Sequence, residues 1–155
     1  KEGGMQTHIG RLTDPPVHSG TGVPNPIRPE WFAGRHEARL GRPVGLTQFG
    51  VNHVTLEPGA ASALRHWHEG EDEFVYVLSG EVTLIDEAGE HPLAAGDYAG
   101  FPAGAANAHH FVNRSAAPAT FLTVGARKVG REVIHYPDDP LGPAEVVRDD
   151  RGERI

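Results

Sequence analysis

The sequence predicts an all-β protein, a sandwich or a barrel built from short strands. It contains 20 glycines and 13 prolines, 33 of its 155 residues, against an average share of about one residue in eight. So many chain-bending residues disfavour a helical bundle. Between them lie short, closely spaced segments rich in β-branched and aromatic residues, which is the pattern of a β-sandwich or β-barrel.

The first half of this strand-rich region holds four predicted strands. Residues 45–57 are enriched in β-branched and apolar residues without helical spacing and end at a Pro-Gly pair. Residues 63–68 form a second, short segment. Residues 73–78 (EFVYVL) are strong strand formers, and residues 81–85 (EVTLI) alternate between polar and apolar before the turn sequence DEAG.

The second half holds five more predicted strands, each bounded by turn residues. They cover residues 91–94, 98–101, 109–113, 119–124 and 129–136. Residues 29–40 are the one segment with a helical alternative, but this segment contains Gly34 and lacks a strong capping residue. Strands therefore account for the predicted core.

The chain divides into one barrel and two extended ends. Residues 1–4 stand before Met5, the only methionine, and are expected to be a remnant ahead of the native start. Residues 5–44 are predicted to be a Pro/Gly-rich arm, residues 45–126 the β-barrel, and residues 127–155 a C-terminal strand and tail. Since no apolar run has the length of a signal peptide or a membrane span, we expect a cytoplasmic protein.

Charge and cysteine content exclude several classes of function. Acidic residues outnumber basic ones by 21 to 14, a formal net charge of −7, so neither nucleic acid nor membrane is expected as a partner. The absence of cysteine excludes disulfides, thiolate metal sites and cysteine nucleophiles. Ten histidines remain as the notable chemical feature.

Two histidines and a carboxylate are predicted to share one strand face. His66 and His68 are two residues apart, so they point to the same side of a strand, with Trp67 on the other. Residues 69–72 (EGED) are interpreted as a solvated turn. A hairpin closed across this turn places His68 opposite Glu73. Two imidazoles and a carboxylate on one face are a ligand set for a divalent transition metal.

A second segment, residues 96–113, supplies another histidine. A glycine-rich turn leads into a predicted strand that carries His109, with Asn113 four residues on and on the same face. His110 points the other way if the strand is regular. Asn113 is interpreted as a hydrogen-bonded turn residue rather than a ligand.

In these two segments the chain resembles small single-domain cupins. The first cupin motif, G-x5-H-x-H-x3/4-E-x6-G, is matched with one extra residue before the first histidine, by Gly59, His66, His68, Glu73 and Gly80. The second motif, G-x5-P-x-G-x2-H-x3-N, is matched with four residues instead of two before the histidine, by Gly96, Pro102, Gly104, His109 and Asn113.

The changed spacing leaves alternatives for the third histidine ligand. Taken literally, the family's spacing places this ligand at Asn107. His109 is preferred because it keeps the H-x3-N half of the motif and supplies an imidazole, and His110 is the alternative.

The resemblance implies a fold, a metal site and two classes of function. The fold is an antiparallel double-stranded β-helix, or jelly-roll barrel. Its interior holds one divalent transition metal, with Zn, Fe(II), Mn, Ni and Co all compatible with nitrogen and oxygen ligands. The implied metal ligands are His66, His68, Glu73 and His109.

The first class of function is a metal-dependent enzyme acting on a small polar substrate, either sugar-phosphate isomerase-like or dioxygenase-like. The second is a non-catalytic module that binds or senses a small molecule. No catalytic residue is identified, and Arg65 and Arg114, which flank the motifs, are not clearly inside the barrel. Because cupin barrels commonly pair through sheet edges, a homodimer is expected, with residues 13–30 available to cross to the second subunit.

Overall fold

The computed structural model describes residues 6–20, 27–140 and 142–155. The predicted native start at Met5, residues 1–4 before it, and residues 21–26 of the predicted arm lie outside the described residues. The described part contains twelve strands. They are β1 (Val17–Ser19), β2 (Arg35–Arg39), β3 (Phe49–Leu56), β4 (Trp67–His68), β5 (Glu73–Ser79), β6 (Glu81–Asp86), β7 (Gly89–Ala94), β8 (Tyr98–Phe101), β9 (His110–Val112), β10 (Ala119–Ala126), β11 (Gly130–His135) and β12 (Ala144–Arg148).

One wall of the molecule is a six-stranded sheet with the order β1-β2-β3-β10-β5-β8. Its strand pairs are all antiparallel, and β3 and β10 pair along eight residues at its centre. Alternate residues of β3 point inward, so Val54 and Leu56 are buried while Thr55 between them is only partly so. The register places Val54 beside Phe121 of β10, and this pair forms the middle of the inner face.

The opposite wall consists of two three-stranded sheets, β7-β6-β9 and β12-β11-β4. Two isolated bridges, Ala61 to Val112 at the end of β9 and His66 to His109 just before its start, connect this part of the chain to the segment that precedes β4. The side chains of the two walls form an apolar core, and Phe32, Ala61 and Leu64 form a separate small cluster. The buried members of the core between the walls are Val54, Leu56, Ala60, Val75, Val77, Val82, Leu84, Phe101, Phe111, Ala119 and Phe121. The prediction of an all-β, antiparallel jelly-roll barrel is confirmed.

Both ends of the chain contribute strands beyond the predicted ones. The helical alternative for residues 29–40 is wrong, since a short 3-10 turn at Pro29–Trp31 is followed by β2, which pairs with β3. Near the C-terminus β12 forms within the segment interpreted as a tail and pairs with β11. None of the described helices is long and apolar enough to span a membrane.

The predicted hairpin between His68 and Glu73 is also wrong. His68 lies in β4, which pairs with β11, whereas Glu73 begins β5, which pairs with β8 and β10. Residues 69–72 therefore do not connect two paired strands. They cross from one wall of the barrel to the other, so that His68 and Glu73 approach across the interior rather than along a shared sheet.

Candidate metal centre

The four residues predicted to bind metal converge on the carboxylate of Glu73. The Nε2 atom of His109 lies 2.8 Å from Glu73 Oε1. The Nε2 atoms of His66 and His68 each lie 3.5 Å from Glu73 Oε2. The side chains of the three histidines are between 5% and 15% exposed. The site is therefore largely, though not completely, shielded from bulk water.

The other ring nitrogen of each histidine is fixed by an acceptor. The Nδ1 atom of His66 lies 2.8 Å from the carbonyl oxygen of Leu64, and that of His109 lies 2.8 Å from the carbonyl oxygen of Asn107. The Nδ1 atom of His68 lies 3.1 Å from Glu132 Oε2. Since carbonyl and carboxylate oxygens only accept hydrogen bonds, each Nδ1 donates its hydrogen, and a ring in its neutral form therefore carries its lone pair on Nε2.

In their neutral forms the three rings therefore direct lone pairs toward the Glu73 carboxylate, an arrangement stabilised by a positive charge, carried either by a metal ion or by protons on Nε2. Burial alone would raise the pKa of Glu73, but its contacts with His109, His66 and His68 hold that pKa well below the ordinary carboxyl value. Burial alone would lower the pKa of His68, but Glu73 and Glu132 outweigh it and raise the pKa. The nitrogen and oxygen donors, with each ring oriented by a second acceptor, fit a divalent transition metal.

The two alternative residues for the third ligand lie elsewhere. The Nδ1 of His110 donates to the carbonyl oxygen of Ala63 at 2.7 Å, and burial lowers the pKa of this ring. Asn107 accepts a hydrogen bond from the amide of Glu87 through its side-chain oxygen. Of these two and His109, only His109 contacts Glu73 among the described residues.

Two further predictions about neighbouring residues are confirmed. The indole of Trp67 stacks on His135, with ring centroids 4.2 Å apart, on the side of the strand away from Glu73. Asn113 is fully buried, and its side-chain amide donates to the carbonyl oxygens of Leu56 and Ala117. Trp67 is therefore a packing residue, and Asn113 holds together a turn.

A buried ionic network behind His68 was missed by the sequence reasoning. Interpreting residues 69–72 as a solvated turn is wrong for Glu71, which is 2% exposed. Its carboxylate accepts hydrogen bonds from Arg148 Nε at 2.9 Å and from the amide of Lys128 at 3.0 Å. Glu132 is equally buried and bonds His68 and the amide of Gly70. Alternation along β11 was the available signal, because it places Glu132 on the same face as the buried Ile134.

The histidines line a cavity of about 290 Å³ between the two walls of the barrel. Phe111 and Phe121 supply part of its apolar lining, and Asn52, Arg127 and Arg148 supply polar groups. This volume lies at the lower end of the range for ligand sites, which indicates a small ligand. Of the two arginines that flank the motifs, Arg65 pairs with Asp138 and Arg114 with Glu90, and neither is among the lining residues.

The fold and the site together define a class of protein. Its members are small jelly-roll barrels in which three imidazoles and a carboxylate face an interior cavity. Residues 52–125 match the family model of the cupin domain. The chain is 45% identical to a crystal structure described as a sugar phosphate isomerase from a cupin superfamily, from Silicibacter pomeroyi, with a TM-score of 0.78. The match covers 90% of this chain and 92% of that one. This chain therefore belongs to the cupin family.

Two further structures are similar. A proposed sugar phosphate isomerase from Acidithiobacillus ferrooxidans is 33% identical, with a TM-score of 0.65 and coverage of 80% of this chain and 77% of that chain. The cupin domain of an XRE family transcriptional regulator from Enterobacter cloacae is 26% identical, with a TM-score of 0.51 and coverage of 60% and 96%. No curated protein matches the chain.

Proposed function

We propose that this cupin is a metal-dependent enzyme with isomerase-like activity on a small sugar phosphate. The observation that carries the proposal is the convergence of three histidine Nε2 atoms on the carboxylate of Glu73. The residues proposed to hold one divalent transition metal (Zn, Fe(II), Mn, Ni or Co) are His66, His68, Glu73 and His109. The substrate class is supported by the 45% identity to a sugar phosphate isomerase.

A divalent metal at this position supplies a Lewis acid that polarises a carbonyl or hydroxyl oxygen of the substrate. The chain's own residues hold the ligands in place. Phe101 stacks on His109 with ring centroids 3.5 Å apart, and Glu132 fixes the orientation of His68. The apolar lining at Phe111 and Phe121 limits the water that reaches a bound substrate.

The metal is tested by elemental analysis of the purified protein. We expect one transition-metal ion per chain, lost in the double variant His66→Ala/His68→Ala. A matched control is His91→Ala, because His91 is 44% exposed, bonds Asp86 and lies away from the cavity. Absence of stoichiometric metal in the wild type, or equal metal content in the double variant, would overturn the proposal.

The reaction class is tested by turnover. The metal-loaded protein is offered aldose phosphates, and separately diketones and flavonoid-like phenols with dioxygen. Interconversion of an aldose phosphate with its ketose supports the isomerase. Oxygen consumption with a phenol or diketone would refute the isomerase and support the dioxygenase-like function. Tight binding of one of these compounds without turnover would refute the enzyme and support a sensing module. That role is consistent with the similarity to a cupin domain of a transcriptional regulator.

We also propose that the protein is a homodimer. The outer face of the six-stranded sheet carries exposed apolar side chains beside the edge strand β8, at Phe74, Tyr76, Leu78 and Tyr98. Within the described ranges β8 pairs only with β5, and contiguous apolar surface next to such a strand edge favours pairing with a second copy. Light scattering should give twice the 16.6 kDa chain mass. Tyr98→Lys should yield monomers, while the control Val129→Lys, also at an exposed apolar position, should not. A wild-type monomer mass would refute the dimer.

A further inference from the structure

Arg127 is one of the residues that line the cavity. It follows β10 directly, and its side chain lies over Gly50 of β3, where an added Cβ would come within 3.0 Å of its Nε and Nη2 atoms. Within the described part of the chain, its guanidinium has neither an ion pair nor a hydrogen bond. The neighbouring arginines differ, since each is paired with a carboxylate: Arg39 with Glu37, Arg42 with Glu153 and Arg148 with Glu71.

The surroundings of Arg127 disfavour its positive charge. Burial, followed by the charges of Arg42, Arg148 and Arg39, lowers the pKa of its guanidinium, and Glu71 offsets this only in part. A guanidinium remains protonated in proteins under such conditions. An anion at this end of the cavity would relieve the repulsion and accept hydrogen bonds from its planar fork of donors.

The strand register aligns Arg127 with the candidate metal centre. Gly50 is paired with Gly125 of β10, and Gly125 is paired with Glu73 of β5. Two strand spacings of about 4.8 Å separate the backbones of Gly50 and Glu73 by about 10 Å. An added Cβ at Gly125 would contact nothing within 4 Å. Because Gly50 and Gly125 have no side chains, these two residues leave open the space between the guanidinium and the histidine cluster.

Asn52 supplies an unsatisfied acceptor in the same cavity. It lies two residues from Gly50 on β3, on the same face, and lines the cavity. Its side-chain oxygen is buried and has no hydrogen-bond partner among the described residues. A buried unsatisfied acceptor costs about 1–3 kcal/mol and is normally satisfied by a donor such as a hydroxyl group.

We infer that the cavity contains a subsite for a polyhydroxylated anion, in which Arg127 binds the terminal phosphate or carboxylate and Asn52 accepts a hydrogen bond from a hydroxyl group. This subsite would specify which substrates the proposed enzyme accepts. The inference rests on the proposed function only for the other end of the ligand, which would lie at the histidine cluster. A small polyol with an anion at one end and a carbonyl or hydroxyl oxygen at the other meets all three groups.

The test compares calorimetric titrations of the purified protein with glucose 6-phosphate, gluconate and glucose. The first two ligands share hydroxyl groups but carry a phosphate or a carboxylate, and glucose carries no charge. For whichever anion binds more tightly, Arg127→Gln should raise Kd by about tenfold to a hundredfold, the usual contribution of a charge-assisted hydrogen-bonded pair, and leave glucose binding unchanged. Asn52→Leu should weaken all three ligands.

The matched control is Arg131→Gln, which removes the same charge from an exposed arginine that bonds Glu145 outside the cavity. Its Kd values should equal those of the wild type. Gly50→Ala is a second variant that keeps the charge and displaces the guanidinium, and it should also weaken anion binding. Equal Kd values for the anions in the wild type and Arg127→Gln, or no preference of the wild type for either anion over glucose, would overturn the subsite.

Metal content measured on the same samples separates this inference from the proposed function. Anion binding that depends on Arg127 in a protein without stoichiometric metal would support the subsite and refute the metal-dependent enzyme. Full metal loading and turnover, together with an anion Kd that is unchanged in Arg127→Gln, would support the enzyme and refute the subsite. An Arg127→Gln protein that keeps the wild-type melting temperature and metal content excludes misfolding as the cause of weakened binding.

Discussion

Replacing Glu132 with glutamine tests whether this buried carboxylate positions His68. Glu132 accepts two hydrogen bonds, from His68 Nδ1 at 3.1 Å and from the amide of Gly70 at 2.9 Å. The glutamine side chain has nearly the same shape but only one acceptor oxygen. Whichever way the amide is turned, its NH₂ group faces one of the two donors.

Glu132→Gln therefore leaves one buried donor unsatisfied, at a cost of about 1–3 kcal/mol in the free energy of unfolding of the metal-free protein. The loss of the carboxylate also removes the group that fixes the His68 tautomer and strengthens its Nε2 as a ligand. Changes to such outer partners typically weaken metal binding by about 10–100-fold. We expect a metal Kd raised by that factor.

The assay is a competition titration against a chromogenic chelator, with the free energy of unfolding measured in parallel by urea denaturation. Glu145→Gln is the matched control, since Glu145 is exposed on the adjacent strand β12 and loses the same charge. The control should match the wild type in both measurements. A metal Kd for Glu132→Gln within about twofold of the wild-type value, in a protein where His68→Ala abolishes binding, would refute the positioning role.

Two further predictions concern stability. Burial alone would raise the pKa of Glu37, but Arg35 and Arg39 outweigh this effect and lower the pKa below 4.5. The ionised Glu37 therefore stabilises the fold above about pH 4.5, and this stabilisation is lost as the pH falls through the lowered pKa. The melting temperature of Glu37→Gln should accordingly lie below that of the wild type near neutral pH and converge with it in acid, and a difference independent of pH would contradict this. Gly80→Ala should lower the free energy of unfolding by more than about 1 kcal/mol, because Gly80 has φ +74° and an added Cβ would lie 2.7 Å from the carbonyl oxygen of Pro118. In urea denaturation the control Gly100→Ala, whose Cβ would meet nothing within 4 Å, should change little, and equal losses in both variants would contradict the proposed clash.

Local pattern predicted most of the strands because their signals are contained in a few consecutive residues. The run from Glu73 to Ser79 has strong strand formers, and Glu81 to Asp86 alternates in hydrophobicity and follows a glycine with positive φ. Strand partners are a different matter, since they depend on residues far apart in the chain. The failure of the predicted β4–β5 hairpin shows this, because the true partner of β4 is β11, more than sixty residues away.

The candidate site was predicted to the extent that its residues carry a sequence pattern. His66 and His68 share a face at a spacing of two, and His109 stands four residues before Asn113, so both patterns could be found without coordinates. Glu71, Glu132 and Arg148 have no such spacing. A single charged residue in a strand is more often exposed than buried, and only the packing of three distant segments brings these side chains together.

The position of Arg127 shows why net charge predicts partners poorly at the scale of one cavity. A formal charge of −7 describes the field at a distance, which disfavours nucleic acid and anionic membranes. Within a few ångströms, however, the potential depends on which charges are neutralised by a neighbour. Arg42 and Arg148 are each ion-paired with a glutamate and Arg39 shares Glu37 with Arg35, whereas the Arg127 guanidinium has no ion pair among the described residues. An acidic protein can thus present an unpaired positive group inside a cavity that also favours a cation at its histidine cluster. A ligand with an anionic end for Arg127 and a neutral oxygen for the cation complements both positions.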